Sequence, residues 1–332
     1  MTLTVTPLHS PVSLAEYEGP AHWPLLTPQQ IVQHAPDLSL VCTSGGAIVA
    51  RCSLWWSNTP SLNTQKVGTI GHYAATHVDA AQTLLHAACD VLRSNKCDVA
   101  VGPMDGNTWR SYRFVTDTGA EAPFFMEPTN PPDYPEHMVA SGFAPLAHYS
   151  SALNTDLTIR DKRVDDLVGR FKTRDVTLRA LRVDRFEDEL HGIFRVSEAA
   201  FAKNFLYTPI AEAQFTAQYL ASKPIVVPEL VIIAEHEDAT VGYCVSIPDM
   251  NEKSRGRQPT TVILKTVAIL PERARFSGLG ALMIDRTHAV AHRLGFTRVI
   301  HALMHDTNQS KAISSRTSAV MRRYALYGRT LA

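Results

Sequence analysis

The segment RFSGLG, Arg275 to Gly280, sets two glycines and a cation just after an apolar run has stopped at Pro271. The run before it, TVILKTVAIL, is rich in β-branched residues, and ALMIDRTHAVAHRL after it has helical spacing. A strand, a glycine turn and a helix together make the parts of an anion site. The first amides of a helix have no partner within it, and the helix dipole favours negative charge there. Glycines let the main chain come close, so the chemistry on offer is the holding of a phosphate or diphosphate.

Two phosphate loops are excluded by residue identity. A Walker A loop needs Gly-Lys-Ser/Thr, and here Ala281 follows Gly280. A dinucleotide fingerprint needs a third glycine where Met283 stands, and it opens an early βαβ unit, whereas this turn comes late. What remains is Arg-x-x-Gly-x-Gly, with Arg275 as the cation and Arg273 as an alternative.

The elements that must position this turn read as a repeated order. After Pro-rich, irregular sequence up to about Leu38, residues 38–42 and 47–56 form a hairpin around Ser44-Gly45-Gly46. A strand over 66–73, a helix over 80–95 with Leu84, Ala88 and Leu92 on one face, and a strand over 98–101 follow. A loop-rich stretch leads to a last strand, PLAHYSSAL. Beyond the charged connector 161–174 come a strand (176–181), helices (185–202 and 210–220) and a hairpin (230–235, 240–247). Then follow the strand 261–269, the helix 279–294, a strand over 298–303, a short helix at 309–315 and a closing strand over 320–331. The expectation is an internal duplication, residues 1–160 and 161–332, each half an α/β (α+β) sandwich around one mixed sheet.

The strand–proline–glycine turn–helix–strand context resembles the GNAT family of acyl-CoA-dependent N-acyltransferases over most of Leu230–Leu331. The resemblance implies two GNAT-like domains in tandem, the second binding acetyl-CoA as co-substrate. It implies that the main chain of Phe276, Ser277, Gly278, Leu279, Gly280 and Ala281, with Arg275, holds the diphosphate. Val267, Ala268 and Ile269 would pair with pantetheine and supply an oxyanion donor. The spacer from Pro271 to Arg275 is a residue longer than the family's usual one. Asn308 stands where the family often carries an asparagine, but Ser315 and Thr317 stand where a tyrosine acid is expected, which leaves Tyr324 or Tyr327 for the leaving thiolate. His305, at the end of the strand after the helix, has an intrinsic pKa suited to taking a proton near neutrality. His301 reads as a hydrogen-bonded residue of the sheet. His288 and His292 share a helix face with no third ligand near them, so they read as a solvated face and no metal is expected.

The first half has no Arg-x-x-Gly-x-Gly at its strand–helix joint, TIGHYAATHVDAAQ, and Asp79 brings negative charge there. That argues against a second CoA site. Its loop GPMDGNTWRSYRF gathers Asp105, Asn107, Trp109, Arg110 and Tyr112, either to bind a ligand or to pack the halves together.

Composition sets the outer bounds. Lys+Arg 32 against Asp+Glu 32 gives no footprint for nucleic acid or a membrane surface, and the resemblance implies a small-molecule or peptide amine as partner. Five cysteines without a CxxC pair, no apolar run of spanning length and no basic-then-apolar leader predict a cytoplasmic protein with free thiols. Oligomeric state is not legible. The predicted function is acetyl transfer from acetyl-CoA to an amine, with a non-catalytic acyl-CoA-binding sensor as the alternative.

Overall fold

The structure, a computed structural model, describes residues 2–331, without the side chains of Arg273, Ala274 and Gln309. The first half contains β1 (Leu3–Leu8), α1 (Pro28–His34), β2 (Leu38–Ser44), β3 (Ala47–Trp55), β4 (Ser61–Leu62) and β5 (Gln65–Ala75). It continues with α2 (Val78–Ser94), β6 (Val99–Gly102), β7 (Phe114–Asp117), α3 (Tyr134–Ala140) and β8 (Ala144–Asn154). The second half contains α4 (Val164–Lys172), β9 (Val176–Ala180), α5 (Phe186–Phe201), α6 (Glu212–Leu220), β10 (Val231–His236) and β11 (Ala239–Pro248). After these come α7 (Met250–Ser254), β12 (Thr261–Ile269), α8 (Arg273–Phe276), α9 (Leu279–Arg293), β13 (Arg298–His305), α10 (Gln309–Ser314) and β14 (Ala319–Thr330).

The amino terminus corrects one expectation. It is not irregular: β1 pairs antiparallel with β2, Leu3 opposite Ser44, and α1 is capped by the Thr27 side chain, which accepts from the Gln30 amide. The alternation in LTVTPL and the Thr-Pro pair before α1 carry these elements.

All the strands belong to one mixed α/β arrangement, dominated by a sheet ordered β1-β2-β3-β5-β6-β14-β8-β13-β12-β11-β10-β9. The two halves exchange their last strands. β8, from the first half, pairs with β13 of the second, and β14 pairs with β6 of the first; the two also run antiparallel along each other. The 160/161 division therefore falls in the link after β8, while the sheet runs on through both halves.

Helices cover both faces. On the first half, Leu84, Leu85, Ala88 and Leu92 of α2 bury against β2, β3 and β5. In the second half, Leu279, Leu282, Met283 and Val290 of α9 pack on one face, and α5 and α6 pack Leu190, Ile193 and Phe215 on the other. Each such side chain, once buried, contributes on the order of 2 kcal/mol. Among the described residues, no helix is long and apolar enough to cross a membrane.

Candidate active site

The site begins where β12 and β13 part. They pair in parallel from Thr261–Arg298 to Leu264–His301, and then β12 runs on to Ile269 and β13 to His305 without further pairing. Both strands carry irregularities at the parting: Lys265 is extruded from the β11–β12 register, and Leu303 of β13 has φ +59°. Beyond it, the Leu270 amide donates to the Val241 carbonyl at 2.9 Å. Antiparallel alternation then turns the main-chain groups of Val267 and Ile269 away from β11, toward the space β13 has left.

β12 leads into the glycine corner. Gly278 has φ +93° and precedes α9 with no side-chain cap. The amides of Leu279, Gly280 and Ala281 donate to no group among the described residues. Those of Arg275 and Phe276 do not share this freedom: both donate to the Glu272 carbonyl, at 3.0 and 3.1 Å, and the Phe276 ring is buried. The donor set is thus shorter than the sequence suggests. Gly280 lies over β12, where an added Cβ would come 3.2 Å from Ile269 Cδ1. That closeness lets α9 start directly above the strand.

The cations at the corner differ from those expected. The Arg275 guanidinium turns to the β10–β11 turn, 2.7 Å from His236 Nε2 and 3.8 Å from Glu237. Arg273 lies outside the described side chains. Instead, α4 and the turn after it bring Arg170 to the Ser277 carbonyl and Arg174 to the Arg275 carbonyl. A connector read only as charged thus places two guanidinium groups beside free helix amides, a set suited to a diphosphate. Leu167 and Arg170 also rest on Gly278, each within 2.7 Å of where a Cβ would stand.

The strand exchange relocates both candidate tyrosines. β8 and β13 lie between β14 and β12. Tyr327 packs into the first-half core, opposite Gly102 and Pro145. The Tyr324 hydroxyl is fully buried, donating to Glu127 and lying 3.0 Å from Ser151 Oγ; Arg322 also pairs with Glu127, at 3.2 Å. Burial, and then the Glu127 charge, push the Tyr324 pKa up. The Tyr324 hydroxyl is thus engaged by Glu127 and Ser151, and the Tyr327 ring lies among first-half core residues. Asn308 caps α10, its side chain accepting from the Ser310 amide at 3.4 Å.

His305 does sit at the parting. Its ring packs edge-on against Tyr149 (centroids 4.9 Å apart) and beside Phe205 (5.6 Å). Nδ1 accepts from the Thr307 amide at 3.2 Å and lies 2.8 Å from Thr307 Oγ1, which puts the neutral ring's hydrogen on buried Nε2, a nitrogen with no partner among the described residues. Burial lowers its pKa, so the ring is neutral and able to accept a proton. His288 is not on a solvated face: it is buried, with Nε2 2.9 Å from His301 Nε2. His301 is bonded inside the fold as expected, and His292 is exposed.

The first half walls this site. Tyr112 and Tyr149 hold the Arg113 guanidinium between their rings, at 3.9 and 4.2 Å, and Arg113 donates to the Leu303 carbonyl at 3.2 Å. Trp109 Nε1 donates to the Thr208 carbonyl at 2.8 Å, and its ring packs against Phe201, Tyr207 and Phe215. The loop of residues 105–113 therefore joins the halves. Neither Arg113 nor Lys265 stood out in the sequence, since a bulge leaves no residue-type signature.

The first half's own cleft is shut. The Met104 amide donates to the Ile70 carbonyl at 2.8 Å, and Asp105 accepts from the His72 amide at 2.7 Å. His34 stacks on His72 beside this carboxylate, nitrogen to nitrogen at 2.8 Å. At the helix start, His77 caps α2 by accepting from the Ala80 amide at 3.2 Å. The helix start that has no side-chain cap in the second half is capped here by its own histidine.

No model of a known protein family matches the sequence. Protein YghO of Escherichia coli (strain K12) is 25% identical over 223 residues, which span 64% of this chain and 55% of YghO. Among solved structures, a glucosamine N-acetyltransferase region of a fungal multi-domain β-N-acetylglucosaminidase aligns with TM-score 0.56 and 14% identity, over 99% of this chain and 38% of that one. A GCN5-related N-acetyltransferase from Sphaerobacter thermophilus aligns with TM-score 0.51 and 12% identity, covering 99% and 96%. A tandem GNAT protein from the clavulanic acid biosynthesis pathway gives TM-score 0.51 and 14% identity, covering 100% and 99%. The chain has the GNAT fold, in tandem.

Proposed function

We propose that the second half is an acyl-CoA-dependent N-acyltransferase, with acetyl-CoA as donor and a small-molecule or peptide amine as acceptor. One observation carries this reading: uncapped amides at Leu279–Ala281 stand in line with a strand whose main chain is left unpaired by the parting of β12 and β13. The free amides, with Arg170 and Arg174, fit a diphosphate, and Val267 and Ile269 fit an extended amide chain beside them. A thioester held there would deliver its acyl group to the β12–β13 parting.

The chain's own groups supply the rest. Main-chain amides on the open edge of β12 donate to the oxygen that gains charge as the amine attacks. Neutral His305 accepts the proton the amine loses at Nδ1, relayed by the Thr307 hydroxyl 2.8 Å away, while the C–S bond breaks and CoA leaves as a thiolate that takes up a proton from water. The first half contributes no second donor site and instead closes the acceptor side through Arg113, Tyr112 and Trp109. The five cysteines are all free and buried, which suits a reducing compartment, and we place the protein in the cytoplasm.

A second reading, an acyl-CoA-binding sensor without turnover, is favoured by the displacement of both tyrosines from the cleft. Acetyl-CoA titration combined with an amine panel separates the two. Binding with acetylation of an amine supports the enzyme; binding with no turnover on any amine supports the sensor.

A further inference from the structure

Two cations meet at the parting of β12 and β13, and among the described residues no carboxylate pairs with either. Arg113 is almost wholly buried; among the described residues its contacts are the Leu303 carbonyl and two tyrosine rings, and its Nε has no partner. Lys265 is the extruded residue of β12, and its ammonium has no hydrogen bond or ion pair among the described residues. The two groups repel: burial, and then the Arg113 charge, lower the Lys265 pKa to about 8. Arg179 is paired with Glu189 and Glu235, and Arg322 with Glu127; Arg51, also buried and without a carboxylate among the described residues, stands alone over the Trp23 ring with no second cation beside it.

Like charges held together, Arg113 buried and Lys265 half-buried, are costly unless a counter-charge arrives. The other groups facing this spot are the Tyr149 and Tyr112 rings and His305; the carboxylate nearest His305, Asp306, is paired with Lys311 at 2.6 Å. Resting on the acyltransferase reading above, we infer that Arg113 and Lys265 form an anion subsite, and that the acceptor is a small amine bearing a carboxylate or phosphate. The planar guanidinium offers a fork for two oxygens and the ammonium a point charge beside it. The amine of such an acceptor then lies near the acyl group while its anionic end is held by the first half's arginine. Polyamines and aminoglycosides, which bring only positive charge, are rejected by the same pair.

The test has two arms. In the first, the lysines carry ¹³C-methyl labels, and the Lys265 resonance, identified by its loss in Lys265→Arg, is titrated with pH in plain buffer, in acetate and in inorganic phosphate. The subsite predicts a rise of about one pKa unit with at least one anion; the stronger of the two shifts distinguishes carboxylate from phosphate. No movement with either overturns it. In the second arm, matched amines are compared with acetyl-CoA: amino acids against their amides, and glucosamine 6-phosphate against glucosamine, with spermidine as the cationic control. The anionic member of a pair is expected to have kcat/KM higher by roughly tenfold or more, with the preference erased in Arg113→Gln and Lys265→Met. A neutral or polycationic best acceptor overturns it. If acetyl-CoA binds and no amine is acetylated, the acyltransferase reading fails, and the lysine titration still decides the subsite alone.

Discussion

Lys265 and His72 are extruded at the bulges of corresponding strands, each in the strand that leads into its half's main helix. Their surroundings have diverged. His72 is locked between Ser53, His34 and Asp105, with its amide on the Asp105 carboxylate at 2.7 Å, whereas the Lys265 ammonium has no partner among the described residues. The same position is spent on closure in one half and left available in the other, which makes the molecule asymmetric in chemistry though duplicated in order.

His305 is predicted to carry proton transfer. His305→Gln keeps the ring volume poorly but preserves a polar group, and kcat should fall by about 10²-fold or more, the usual contribution of a general base. Because burial lowers the His305 pKa, the acid limb of kcat/KM should lie below the ordinary histidine value of 6.5. A pH–rate profile checks this, and an unchanged kcat would remove His305 from the mechanism.

Lys265 predicts an alkaline limit on acceptor binding. Its pKa of about 8 means the ammonium loses its charge as pH rises through that value. KM for an anionic acceptor should therefore climb above pH 8 in the wild type and be flat with pH in Lys265→Arg. Initial rates at varied acceptor concentration report this directly.

Tyr324 is predicted to hold structure. Tyr324→Phe removes a hydroxyl from Glu127 and from Ser151, whose Oγ also accepts the Leu303 amide at 3.0 Å. The loss should cost about 1–3 kcal/mol of stability, since a buried carboxylate is left short of a partner. Acetyl-CoA affinity should be unchanged and kcat altered less than about tenfold, against the 10²-fold or more expected of an acid. Chemical denaturation and steady-state kinetics on one preparation measure both.

The strand–turn–helix of residues 261–294 was legible because each part has a local cause: β-branched alternation, a proline stop, two glycines and a 3.6-residue stripe. The exchange of β8 and β14 was not, because side-chain alternation records which face a strand buries and says nothing of its hydrogen-bonded neighbours. That one non-local fact moves Tyr327 into the first-half core and brings Arg113 to the second half's cleft. Arg170 and Arg174 escaped notice for a related reason: α4 reads as a charged link until its packing on α9 is known.

Four histidines, His34 half-buried and the other three buried, predict acid lability. His34 and His288 are lowered to about 4, His72 and His301 to about 3, in each case chiefly by burial. The unfolded chain takes up protons at these residues as pH falls below 6.5 and the folded chain does not, so stability is present above 6.5 and lost toward pH 4. Asp105, raised to about 6 by burial, opposes this because its folded form keeps a proton. His137, also lowered by burial, adds to the effect, while Glu127 and Asp249, raised by burial, subtract from it, so the slope is at most roughly 4 kcal/mol per pH unit. Urea denaturation at stepped pH reads the slope, and a flat profile from pH 7 to 5 would contradict these burials.

The most direct test is calorimetric titration of the full chain with acetyl-CoA, repeated on Gly278→Glu after circular dichroism has shown that variant folded. The account predicts one site per chain in the wild type, because the first half's cleft is shut, and no binding once a carboxylate stands at the corner. No binding to the wild type, two sites per chain, or undiminished affinity in Gly278→Glu would contradict it.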